Sequence, residues 1–71
     1  MEMVPLGRSR HLVTIGYDPA TKRMRIGFVS GAVYEYPDIT AEEVEALRAA
    51  PSVGAHFARH HRHRASTKVE G

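Results

Sequence analysis

The chain has 71 residues, 42% of them hydrophobic and 25% charged, with no cysteine and a formal net charge of +2. A domain this small hides only about 60% of the surface its unfolded chain exposes, which excludes two lobes with a cleft between them. The composition excludes wholesale disorder, the missing cysteines exclude disulfides and thiolate metal sites, and no run approaches the roughly 20 apolar residues of a membrane span.

Residues 1–10 read as a flexible arm. Met1-Glu2-Met3-Val4-Pro5 has neither the basic flank nor the apolar run of a signal peptide, so the expected location is the cytoplasm. His11-Leu-Val-Thr-Ile-Gly-Tyr17 is rich in β-branched and aromatic residues and predicts a strand. Asp18-Pro19-Ala20-Thr21 is a turn signal. Met24, Ile26 and Phe28 alternate with Arg23, Arg25 and Gly27 at the period of a half-buried strand. Ala32-Val-Tyr-Glu-Tyr36 predicts a third strand, which Pro37 closes.

Thr40 and Glu43 have the spacing of a capping box, and Ile39 and Val44 that of a hydrophobic staple. Glu42 and Glu43 suit the positive end of the helix dipole, and Val44 and Leu47 supply the apolar stripe. Pro51 stops this helix. Ser52 caps a second short one with Val53 and Phe57 on one face. Residues 65–71 lack any period and read as a frayed tail. The expected architecture is α+β: a three-stranded antiparallel β-meander followed by two short helices packed on one face, with the single domain spanning residues 11–64.

The register of the second hairpin decides where the tyrosines point. A two-residue loop at Ser30-Gly31 would set Ile26 opposite Glu35 and send Tyr34 and Tyr36 to the arginine face. A three-residue loop, Val29-Ser30-Gly31, pairs Ile26 with Tyr34, Met24 with Tyr36 and Arg25 with Glu35. The second register is preferred, because it gathers the apolar side chains on one face and pairs the charges on the other. It predicts a shared core of Met24, Ile26, Phe28, Tyr34, Tyr36, Val44, Leu47 and Phe57.

Gly16-Tyr17-Asp18-Pro19, Phe28 with Ser30-Gly31, Val33-Tyr34-Glu35-Tyr36, and Ser52-Val53-Gly54 with Phe57 together resemble the KTSC domain. That module occurs at the C-terminus of some lysyl-tRNA synthetases and as stand-alone bacterial and phage proteins, and its mark is a Tyr-x-Tyr. The resemblance covers residues 9–61. It carries no established activity and implies an association with RNA through the synthetase. Relatives tend to continue past Phe57 with an apolar residue, where this chain has His60-His61-Arg62-His63-Arg64.

Charge is segregated along the chain. Arg8, Arg10, Lys22, Arg23 and Arg25 face a single acid, Asp18, in residues 8–25. Glu35, Asp38, Glu42, Glu43 and Glu45 follow with no base among them. Arg59, Arg62, Arg64 and Lys68 then come with His56, His60, His61 and His63. The arginines suit phosphate, and Tyr34 and Tyr36 are either a stacking platform for bases or core residues, the register favouring the core. His56, His60 and His63 share a helical side. The intervening arginines and the lack of nearby acids argue against a metal site and for a pH-dependent extension of the basic tail.

Ser9, Ser30, Ser52 and Ser66 read as arm, turn, cap and tail, and no nucleotide, hydrolase or metalloprotease motif is present, so no enzyme activity and no cofactor are expected. Two functions remain. One is a small binding module for RNA or a ribonucleoprotein, using Arg23, Arg25, Tyr34, Tyr36, Arg59, Arg62 and Arg64. The other is a protein-interaction module, such as a phage-encoded inhibitor or adaptor. It would dock Glu35, Glu42, Glu43 and Glu45 on a basic host protein that handles nucleic acid.

Overall fold

The structure is a computed structural model and describes every residue except Arg8 and Ser9, so the expectations for that basic charge and that serine lie outside the described residues. The described residues form one antiparallel sheet in the order β1 (Val4–Pro5), β2 (Leu12–Asp18), β3 (Arg23–Phe28), β4 (Val33–Tyr36), β5 (Thr67–Glu70). Between β4 and β5 the chain forms α1 (Ala41–Ala49) and α2 (Val53–His60). The α+β class with two helices holds, but the sheet has five strands and not three. The supposed arm supplies β1, continued by a hydrogen bond from the Leu6 amide to the Val13 carbonyl at 2.7 Å. The supposed frayed tail supplies β5. Both edges escape a pattern-based reading for physical reasons. β1 has two residues, one of them a proline of the kind that tolerates only an edge. All four residues of β5 are exposed, so backbone pairing to β4 orders it without any hydrophobic alternation.

The β3–β4 register is the one that the charge pairing predicts: Met24 lies opposite Tyr36, Arg25 opposite Glu35 and Ile26 opposite Tyr34. The Gly31 amide donates to Phe28 O at 2.9 Å and the Phe28 amide to Ala32 O at 2.8 Å. Gly31 sits at φ +96°, a left-handed conformation that only glycine adopts without cost. In β2 the ladder skips Val13, since Leu12 opposes Phe28 and Thr14 opposes Gly27. This bulge turns both Leu12 and Ile15 inward although they are three residues apart. On the outer face a Cβ at Gly16 would lie 2.6 Å from Met3 Sδ, so glycine there lets the N-terminal segment lie against the sheet.

The Asp18 carboxylate accepts from the Ala20 amide at 3.0 Å, forming the expected turn. The capping box of α1 is complete in both directions between Thr40 and Glu43, and Ser52 Oγ accepts from the Ala55 amide at the start of α2. The Ile39 amide donates to Lys22 O at 2.9 Å and the Tyr17 hydroxyl to Ile39 O at 2.6 Å, which fasten the segment leading into α1 to the first hairpin.

The core between sheet and helices contains Leu12, Ile15, Met24, Ile26 and Tyr36 from the strands, with Ile39, Val44, Leu47, Val53 and Phe57 from the helical half. Phe28 and Tyr34, expected inside it, are half-buried at its margin. The departure after Phe57 is absorbed by His61, which extends the Val53–Phe57 stripe by one more turn and is 1% exposed. A histidine thus occupies an apolar place.

Candidate binding cleft

The partly buried aromatics mark a cleft of about 410 Å³ between α2 and the inner face of the sheet. Phe28, Tyr34 and Tyr36 line it from β3 and β4, and Gly54, Phe57 and Ala58 from α2. The rings meet edge to face. Phe28 lies 5.8 Å from Tyr34 and 5.7 Å from Phe57, and Tyr36 lies 5.7 Å from Phe57, with interplanar angles of 71° to 85°. Such geometry is preferred by ring quadrupoles and fixes the rings as a group.

His11, Arg62 and Ser66 complete the lining. Gly54, Ala58 and Arg62 recur every four residues, the spacing of one helix side. The amides of His61 and Arg62 both donate to Phe57 O, at 2.8 and 2.9 Å, which carries the winding past the end of α2 and holds Arg62 at the rim. The Tyr36 phenol is hydrogen-bonded to the Ser66 side chain. Burial raises its pKa, the Ser66 bond opposes that rise, and the Tyr34 phenol adds to it. A second cavity of about 580 Å³ shares His11, Phe28 and Tyr34 with the first and continues past them to Ala32 and Lys68. The two form one groove, with Arg62 in one half and Lys68 in the other.

Of the residues expected to contact nucleic acid, the structure brings Tyr34, Tyr36 and Arg62 together. Arg23 and Arg25 lie on the opposite face of the sheet and share one carboxylate. Arg25 Nε donates to Glu35 Oε1 at 2.9 Å and Arg23 Nη1 to Glu35 Oε2 at 3.3 Å. Arg64 Nη2 lies 2.8 Å from Glu43 Oε2. Arg59 is exposed on α2 and does not line the cleft, whereas Arg62 lines it and makes no ion pair among the described residues.

The acidic docking set is divided as well. Glu35 and Glu43 are engaged within the chain, and only Glu42 and Glu45 stand exposed. For Glu43, burial works to raise the pKa, but the Thr40 amide, Arg64 and His61 outweigh it and lower the value.

Phe28, Phe57, His11, Ser66 and Lys68 join the cleft, although the sequence marks none of them as a site residue. The alternation and helical spacing that make Phe28 and Phe57 visible point to a core. His11 and Lys68 are brought in by the bulged start of β2 and by β5.

The histidines divide differently from the helical side expected for them. His56 and His60 approach at 4.4 Å, and the third ring beside them is His61, 5.9 Å from His56 and 6.4 Å from His60; His63 lies past the end of α2 and is exposed. Among the described residues, neither ring nitrogen of His61 has a hydrogen-bond partner. Its pKa is lowered by burial first, then by Arg64, with His56 and His60 adding and Glu43 opposing. No set of three His, Cys, Asp or Glu side chains among the described residues is arranged to hold a metal ion. No helix among them is long and apolar enough to cross a membrane.

An uncharacterised protein of Stutzerimonas stutzeri (strain A1501) is 42% identical over 50 residues, 70% of each chain. The crystal structure of a KTSC domain protein from Yersinia pestis superposes with a TM-score of 0.89 over 96% of both chains at 23% identity, so the fold is shared over nearly the whole length. The KTSC domain family model matches residues 8–64, from the approach to β2 to the arginine that ties α2 to α1, and with it the chain belongs to the KTSC domain family.

Proposed function

We propose that this chain is a non-catalytic module that binds single-stranded nucleic acid, RNA or the RNA of a ribonucleoprotein, in the groove between α2 and β4. The observation that carries the reading is the coincidence of four aromatic rings with Arg62, a lining guanidinium without a carboxylate partner among the described residues. Aromatic side chains accept bases of any sequence, and a guanidinium fork matches phosphate. A recessed cleft of about 410 Å³ suits a splayed base and not a stacked duplex. Among the described residues no carboxylate lines it to act as a general base. Ser30 sits in a turn, Ser52 caps α2 and Ser66 is bonded to Tyr36, so these hydroxyls have structural partners. The acidic docking reading is left with Glu42 and Glu45 alone.

A titration of isotope-labelled protein with a short single-stranded oligoribonucleotide tests this. The amides of Phe28, Tyr34, Tyr36, Ala58 and Arg62 are expected to shift together, and those of Arg23 and Arg25 to stay in place. No shifts at low salt, or shifts centred on Arg23 and Arg25, would overturn the assignment.

A further inference from the structure

We propose that the cleft is a one-nucleotide subsite, taking a single planar base among its aromatic rings and that nucleotide's phosphate on the Arg62 guanidinium. The inference rests on the binding reading of the groove and goes further by naming the ligand unit and the atoms that discriminate it. Three observations define the chemistry. The cavity of about 410 Å³ lies near the lower end of the roughly 300–1,000 Å³ of small-molecule sites, which suits one ring system with a short polar appendage. The rings of Phe28, Tyr34, Tyr36 and Phe57 line it, an arrangement that elsewhere attracts a cation as readily as a neutral ring. Charge decides between these. Among the described residues no acid lines the cavity and Arg62 does, so a quaternary ammonium is repelled and a flat ring carrying an anion is favoured.

The Tyr36–Ser66 hydroxyl pair supplies donor and acceptor atoms inside the cleft, where the polar edge of a base can exchange hydrogen bonds. Across the shared wall of His11, Phe28 and Tyr34 lies the second cavity with Lys68, the place for the neighbouring unit of a strand. A free nucleoside monophosphate and one nucleotide of a strand present the same chemistry to the first cavity. They differ in whether the second is filled.

The test uses the full chain with uridine, uridine monophosphate, adenosine monophosphate and a short oligouridylate, each followed by amide shifts and titrated to a dissociation constant. Both monophosphates are expected to shift Tyr34, Tyr36, Phe57, Ala58 and Arg62. The phosphate should tighten binding about tenfold over uridine, the scale of one charge-assisted contact. Arg62→Gln, at an exposed position, should erase the difference in affinity between nucleoside and nucleotide. Ala58→Leu, a good helix former that projects into the cleft, should weaken all four ligands.

Equal affinity for uridine and its monophosphate, indifference to Arg62→Gln, or shifts confined to the Arg23–Arg25 face would overturn the subsite. Oligouridylate bound without any response to mononucleotides would also overturn it and leave the strand-binding reading standing. Mononucleotides bound without any gain for the oligouridylate would do the reverse, making a free nucleotide the ligand.

Discussion

The two faces of the sheet use the same residue types in opposite ways. On the outer face Arg23 and Arg25 converge on Glu35, so two cations and an anion compose a nearly self-satisfied surface. On the inner face, where β4 meets α2, Phe28 and Tyr34 are only partly covered over the buried Tyr36 and Phe57, and Arg62 lines the cleft without an acid among the described residues. Both regions carry arginine, but only the cleft, through Arg62, presents a guanidinium without an ion pair among the described residues. Arginine count therefore says little about where an anion binds. What matters is whether the fold brings a carboxylate to each arginine, and cross-strand pairing does so for Arg25 while the capping residue Glu43 does so for Arg64.

The largest expected effect separates the closed core from the open cleft. Leu47 is fully buried, and Leu47→Ala should cost about 2–5 kcal/mol, a large share of the stability of any small domain. Phe28→Ala removes a larger side chain from a half-exposed place and should cost less than Leu47→Ala in urea unfolding. A Phe28→Ala variant less stable than Leu47→Ala would show that the cleft is part of the core.

His61 gives the next effect. Its two ring nitrogens are buried without partners among the described residues, so His61→Leu should stabilise the domain by about 1–3 kcal/mol at neutral pH. The sign with pH follows from its lowered folded-state pKa. Between that value and the ordinary one near 6.5 the unfolded chain binds the extra proton, so stability is complete above about pH 6.5 and falls as pH drops. Thermal melts at about pH 7.5 and about pH 5 should show a decline that His61→Leu reduces. Part of the decline should remain, because His56 is lowered too, by burial first and then by His60 and Arg59.

Glu43 closes the cap of α1 and holds Arg64 at the end of α2. Glu43→Ala should cost about 0.5–2 kcal/mol, the range for removing a helix cap, whereas Glu42→Ala on the same turn should fall within about 0.5 kcal/mol. Equal losses from the two would mean that the Glu43 contacts contribute nothing.

Much of the frame is legible in the sequence because several signals agree at each point. The three-residue loop closing on Gly31, the Thr40–Glu43 box and the Ser52 cap each combine spacing with residue chemistry, and each is found where the pattern sets it. The edge strands are not legible, since Thr67–Glu70 buries nothing and Val4–Pro5 is too short to show a period. The cleft is half legible. Tyr34 and Tyr36 stand out as a pair, but their sharing a cavity with Arg62 depends on how far α2 winds, and the helix continues on a buried histidine where an apolar residue is the natural expectation. The pairing of Arg64 with Glu43 joins residues far apart in sequence and has no local signature.

The most direct test of the central claim sets the two arginine populations against each other. Affinity for a single-stranded oligoribonucleotide is measured across a salt series for the parent chain, for Arg62→Ala, and for the double variant Arg23→Ala with Arg25→Ala. Each exposed ion pair contributes about 0–1 kcal/mol, so all three proteins should fold. Arg62→Ala should weaken binding and lower the salt slope by about 0.7, the value for neutralising one phosphate fewer on a single strand, while the double variant should keep the parent slope. A double variant that loses slope while Arg62→Ala keeps it would place the anion on the outer face and contradict the account.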